Sequence, residues 1–237
     1  VVVSNLTAFF LRPGDDPAAD AARGSALWRI QSWLALVLIL AAAGYAVRFT
    51  SGTPDRDALY KTSTAVGALF QDGVMLMIVF GIAGGVSFFA LRQPSSWTRA
   101  FGLALLALVV IALVAAGLEA VLHAGSEQGL TPDRWDPSRK NAYTLNFIVV
   151  AAFVPIIEEI TFRGVGYSLL RRWGAPVAIL GTAIAFALAH GLVQGFPTLI
   201  VFGATLGWLR YRTGSIIPGI AVHATFNAIS LIAAVTT

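Results

Sequence analysis

Cysteine is absent from the 237 residues, which excludes disulfides, thiolate metal sites and a cysteine nucleophile. Charge is also scarce. Asp, Glu, Lys and Arg make up 12% of the chain, where a soluble domain carries about a quarter. No His-Glu-x-x-His segment is present, so a zinc protease of that motif is excluded. No internal repeat is visible either, which removes the paired halves typical of transporters. What remains is 57% hydrophobic with a mean hydropathy of +0.77, the composition of a membrane protein. A net charge of +4 invites a nucleic-acid reading. The basic residues are scattered at the ends of apolar segments, however, which is the pattern of membrane anchoring.

Seven apolar segments can be drawn, roughly 27–47, 64–91, 99–122, 142–172, 176–192, 196–211 and 216–235. Punctuation separates them: Gly52-Thr-Pro54, Gln93-Pro94, the polar stretch Ser126–Asn141, Trp173-Gly-Ala-Pro176, Gly195-Phe-Pro197 and Thr213-Gly-Ser215. The expected fold is therefore all-α, a polytopic transmembrane helix bundle of about seven or eight spans. Residues 1–26 read as an interfacial arm without the layout of a signal peptide. Residues 27–237 read as one transmembrane domain with its catalytic core in 142–237. With the N-terminus inside, ten Lys and Arg fall on the cytoplasmic side against six outside. That asymmetry predicts a multi-pass protein of the cell membrane with a cytoplasmic N-terminus. Gly81-xxx-Gly85 and Gly203-xxx-Gly207 are expected at close helix contacts.

The chemistry-bearing residues lie in the last four segments. Glu158 and Glu159 interrupt an apolar run, where an ionisable group costs at least a few kcal/mol and seldom lacks a task. Glu158 lies sixteen positions before Gly174 and His190 sixteen after it. At about 1.5 Å per residue both sit about 24 Å from that turn, at matching depth if both helices are continuous. His223 and Asn227 share a helical face about 14 and 20 Å beyond Gly214. Glu159 and Arg163 are four apart and can pair, holding the rotation of the helix. Glu158 is left without a local cation, which suits a general base. His190 can orient a water with it, and His223 and Asn227 offer N–H donors to a developing oxyanion. Pro155 is expected to kink the helix just upstream.

These residues resemble the motifs of the CPBP family of intramembrane proteases, also called the Abi or CAAX-protease-like family. Its Glu-Glu-xxx-Arg, Phe-xxx-His and His-xxx-Asn patterns appear in order as Glu158-Glu159-xxx-Arg163, Phe186-xxx-His190 and His223-xxx-Asn227. Residues 1–140 add only hydrophobicity to the likeness. The resemblance implies an endopeptidase whose eukaryotic members remove the last three residues of prenylated CAAX proteins. It implies that Glu158 and His190 activate water, that His223 and Asn227 form the oxyanion site, and that Glu159 and Arg163 support them. Phe186 would pack beside the site. The implied partners are the bilayer and a membrane-associated peptide or protein, lipidated or not, and no nucleic acid. No cofactor is expected, the alternative being a divalent metal such as zinc on Glu158, His190 and His223. From other classes, a proton-coupled transporter and a non-catalytic membrane scaffold stand as alternatives, because buried Glu, His and Arg also serve proton relays.

Overall fold

The computed structural model describes residues 17–50, 55–124, 127, 132 and 134–236, with side chains from residue 26 onward. Residues 1–16 of the expected arm and the Gly52-Thr-Pro54 break lie outside the described residues. Residues 17–26 are helical and continuous with the first apolar segment.

Among the described residues, seven helices follow the seven apolar segments. They are α1 (Pro17–Thr50), α2 (Thr62–Ala83), α3 (Trp97–Leu122), α4 (Pro137–Trp173), α5 (Ala175–Ala189), α6 (Phe196–Thr213) and α7 (Ile217–Thr236). The chain is an all-α, multi-pass helix bundle. Five helices are long and apolar enough to cross a membrane: α1 from Ala26, α2, α3, α4 and α7. The remaining two of the seven, α5 and α6, fall short of that length or apolarity. With 15 residues, α5 is about 22 Å long against a hydrocarbon core of about 30 Å. α6 carries Arg210 and Arg212 in its last turn. The two pack against each other as a hairpin.

Segment 64–91 is also not one helix. Gly84, at φ +63, closes α2 in the left-handed conformation that glycine adopts at no steric cost, and a 3-10 turn follows at Val86–Phe89. The expected contact at Gly81 and Gly85 is not made: a Cβ at either would meet nothing within 4 Å among the described atoms. Gly203 and Gly207 do lie at a close contact. A Cβ on Gly203 would come within 2.8 Å of Ala183 Cα, and one on Gly207 within 3.4 Å of Ile179.

α4 is the axis of the assembly and contacts α1, α2, α5, α6 and α7. It is not a regular α-helix. Two π-helical stretches, Val149–Phe153 and Ile160–Gly166, flank the α-helical turns that carry Glu158 and Glu159. The first stretch immediately precedes Pro155, whose missing N–H and ring do not fit a regular turn. The expected kink is thus realised as a widened turn. At the second stretch, Trp33 of α1 is buried and its indole N–H donates to the Thr161 carbonyl at 3.0 Å. A Cβ on Gly166 would stand 2.3 Å from that indole, and one on Gly164 would stand 2.9 Å from the Phe89 carbonyl. Large apolar side chains such as Leu38, Phe70, Phe101 and Leu113 stay exposed on α1 to α3, as a lipid-facing surface requires.

Candidate active site

Within this frame, the motif residues from α4, α5 and α7 come together. Glu159 is fully buried and accepts from Arg163 Nη1 at 2.8 Å, the pair predicted from their spacing. The same Glu159 oxygen lies 3.2 Å from His223 Nδ1. On the other edge of that imidazole, His223 Nε2 stands 3.5 Å from Glu158 Oε2. His223 therefore bridges the two adjacent glutamates. His190 Nε2 stands 3.8 Å from Glu158 Oε1. The matching depths of Glu158 and His190 become a near contact, although α5 ends at Ala189 and His190 is its C-cap.

Hydrogen-bond logic fixes the imidazole of His190. Its Nδ1 lies 2.8 Å from the Phe186 carbonyl. A carbonyl only accepts, so Nδ1 carries the hydrogen and Nε2 faces Glu158 as an acceptor in the neutral ring. Two acceptors 3.8 Å apart are suited to the two hydrogens of one water. The side chains of Glu158 and His190 keep 15% and 17% exposure, against 0% for Glu159 and Arg163. Glu158 Oε2, Glu159 Oε2 and Arg163 Nε and Nη2 are buried without a hydrogen-bond partner.

Asn227 makes a contact that its spacing did not announce. Its amide nitrogen donates to the Val150 carbonyl at 3.0 Å. Val150 lies in the π-helical stretch, where its i+5 partner would be the absent N–H of Pro155. One amide hydrogen of Asn227 thus mends the gap that proline leaves, and the second stays available.

Aromatic rings wall the cluster. Phe186 holds its ring 4.4 Å from that of His190, and the Arg163 guanidinium lies 4.4 Å from the Phe186 centroid in a cation–π contact. Phe202 of α6 packs edge-on against His223 at 4.8 Å. A Cβ on Gly219 would stand 2.9 Å from Glu159 Oε2, so glycine there leaves room for the carboxylate. Among the described residues, no three His, Cys, Asp or Glu are disposed to hold a metal ion.

The first three helices contribute more than hydrophobicity. Asp72 of α2 is buried, its Oδ2 has no hydrogen-bond partner, and it is near enough to Glu158 for the two carboxylates to interact. The turn carrying His190 rests on α1: a Cβ on Gly191, at φ +63, would meet the Gly44 backbone at 2.3 Å. Glu127 holds the same turn from the loop after α3. Its carboxylate accepts from the backbone N–H of Val193 and of Gly195, each at 2.8 Å, and from Arg48 at 3.1 Å. Burial pushes the Glu127 carboxyl up, but the N–H donors of Gly195, Val193 and Gln194 and the Arg48 guanidinium outweigh it and hold it below its ordinary 4.5. In the sequence, only the glycines at 191 and 195 hint at this latch.

A multi-pass helical membrane protein with carboxylates and imidazoles enclosed in its bundle is the class defined by this fold and site. Within the chain, residues 140–229 match the family model described as Type II CAAX prenyl endopeptidase Rce1-like. The match contains every motif residue named above and spans 90 of the 237 residues, so the likeness to a prenyl endopeptidase is a likeness of that segment. No curated protein and no solved structure matches the chain.

Proposed function

We propose that the protein is an intramembrane endopeptidase that hydrolyses a peptide bond of a membrane-associated substrate with a water activated by Glu158. The observation that carries this reading is the Glu158 carboxylate facing both imidazoles, His190 at 3.8 Å and His223 at 3.5 Å, inside an apolar bundle. Glu158 and His190 Nε2 accept the two hydrogens of one water, leaving its lone pair directed at the substrate carbonyl. As the oxygen adds to the carbonyl carbon, Glu158 takes the proton. The carbonyl oxygen gains negative charge and meets the free N–H of Asn227 and the Nε2–H of His223. Glu158 then returns its proton to the amine nitrogen as the C–N bond breaks.

Supporting this assignment, the pair Glu159 and Arg163 is fully buried and fixes His223, and Phe186 orients His190 through its carbonyl. We place the N-terminus in the cytoplasm of a cell-membrane protein, from the ten-to-six asymmetry of Lys and Arg. We take residues 27–237 as one membrane domain behind an arm at 1–26. The substrate class that fits is a membrane-associated peptide or protein, with the prenylated CAAX terminus of the matched family as one instance.

The test is mass spectrometry of membrane-derived peptides from cells carrying the natural chain or Glu158→Gln. Cleavage products that disappear in the variant are expected. Identical peptide sets would remove the assignment, and proton-driven flux in liposomes would favour a transporter. Exhaustive chelation is expected to leave cleavage intact; loss restored by added zinc would reassign the activation of water.

A further inference from the structure

At the end of the bundle where α4 meets α5 and α6 meets α7, arginines gather without acids. Residues 84–99, 164–178 and 208–220 contain Arg92, Arg99, Arg171, Arg172, Arg210 and Arg212 and no Asp or Glu. The buried member is Arg210, at 8% exposure, with its Nε lacking a hydrogen-bond partner. Its guanidinium lies 5.2 Å from the centre of the Tyr167 ring, and the Tyr167 hydroxyl is likewise buried, with the Arg171 side chain as its neighbour. The charged neighbour acting on Arg210 is another cation, Arg92, and Tyr167 is also near Arg171. Both of those arginines are exposed at the rim. Arg92 is held in place because its Nε donates to the Gly214 carbonyl at 2.8 Å. A groove of about 410 Å³ lined by Arg99, Tyr211 and Arg212 adjoins this floor, Tyr211 being shared through its contact with Arg171.

A buried guanidinium beside a second cation is costly unless an anion completes the arrangement. Guanidinium forks match the oxygens of phosphate in pairs, and a tyrosine hydroxyl adds a further donor. Trp173 and Trp208 stand on the same helix ends, where aromatic rings mark the headgroup level. We propose that Arg210, Tyr167, Arg92 and Arg171 form a binding site for a phosphate group, supplied by an anionic phospholipid headgroup. The site shares a stripe of α4 with the presumed machinery, since Glu159, Arg163, Tyr167 and Arg171 follow one another at four-residue spacing. It does not depend on the hydrolytic reading.

The experiment is thermal unfolding of the purified full chain in nanodiscs of phosphatidylcholine alone, of phosphatidylcholine with phosphatidylglycerol, and of phosphatidylcholine with millimolar inorganic phosphate. The unfolding temperature is expected to rise by several degrees with phosphatidylglycerol. A comparable rise with inorganic phosphate would assign the same site to a soluble phosphate and overturn the lipid source. Arg210→Gln and Tyr167→Phe are expected to abolish most of the rise. In phosphatidylcholine alone, Arg210→Gln is expected to unfold no lower than the natural chain, because an uncompensated buried charge has been removed. A full rise retained in both variants would overturn the proposal. An equal loss of stability in every lipid would assign Arg210 a purely structural role, with the same consequence.

Discussion

On one face of α4, Glu159 is fully buried and held by Arg163 at 2.8 Å and His223 at 3.2 Å. On the next face, one residue earlier, Glu158 keeps partial exposure and meets two imidazoles without a close bond to either. A carboxylate bonded to a buried guanidinium and an imidazole positions its neighbours. A carboxylate left partly unmatched can take a proton. Two identical side chains at adjacent positions thereby acquire different tasks, and the difference lies in what α5 and α7 bring to each face.

Removing the carboxylate paired with Arg163 should have the largest effect on folding. Glu159→Ala leaves Arg163 buried and unpaired, and breaking a buried pair in that way costs about 3–5 kcal/mol. A sharply lower yield and unfolding temperature are expected, measured in detergent by thermal unfolding; unchanged stability would erase the distinction between the two faces. A milder perturbation of the same face is Gly219→Ala, which sets a methyl 2.9 Å from Glu159 Oε2. A cost of about 1–3 kcal/mol from overpacking is expected, with activity falling through displacement of His223.

The smallest effect should come from the latch that holds the His190 turn. Glu127→Gln removes the charge that Val193, Gly195 and Arg48 address, at a cost of about 1–2 kcal/mol. Because the Glu127 carboxyl lies below its ordinary 4.5 in the folded chain, its contribution is complete above that value. It is lost as pH falls through the lowered value. The natural chain should therefore lose stability on acidification below about pH 4.5 more steeply than Glu127→Gln. Parallel acid limbs in thermal unfolding would detach Glu127 from that role.

Much of the arrangement was legible in the residues because the relevant regularities are local. Apolar runs between Gly and Pro breaks located the helices, the four-residue spacing paired Glu159 with Arg163, and equal distances from Gly174 placed Glu158 opposite His190. What escaped prediction depends on tertiary contacts or on departures from ideal helices. The π-helical turns around Pro155 directed an Asn227 hydrogen to Val150. Asp72, Gly44 and Glu127 reach the site from helices and a loop whose sequences carry no motif.

The central claim, that Glu158 takes the proton of the attacking water, is tested most directly with purified Glu158→Gln in nanodiscs. Its unfolding temperature and its cleavage of a membrane-tethered peptide are measured beside those of the natural chain. The glutamine variant should unfold at the same temperature and turn over at least about 10²–10⁴-fold more slowly, the range set by loss of general acid–base catalysis. Cleavage by a fully folded Glu158→Gln at the natural rate would contradict the account.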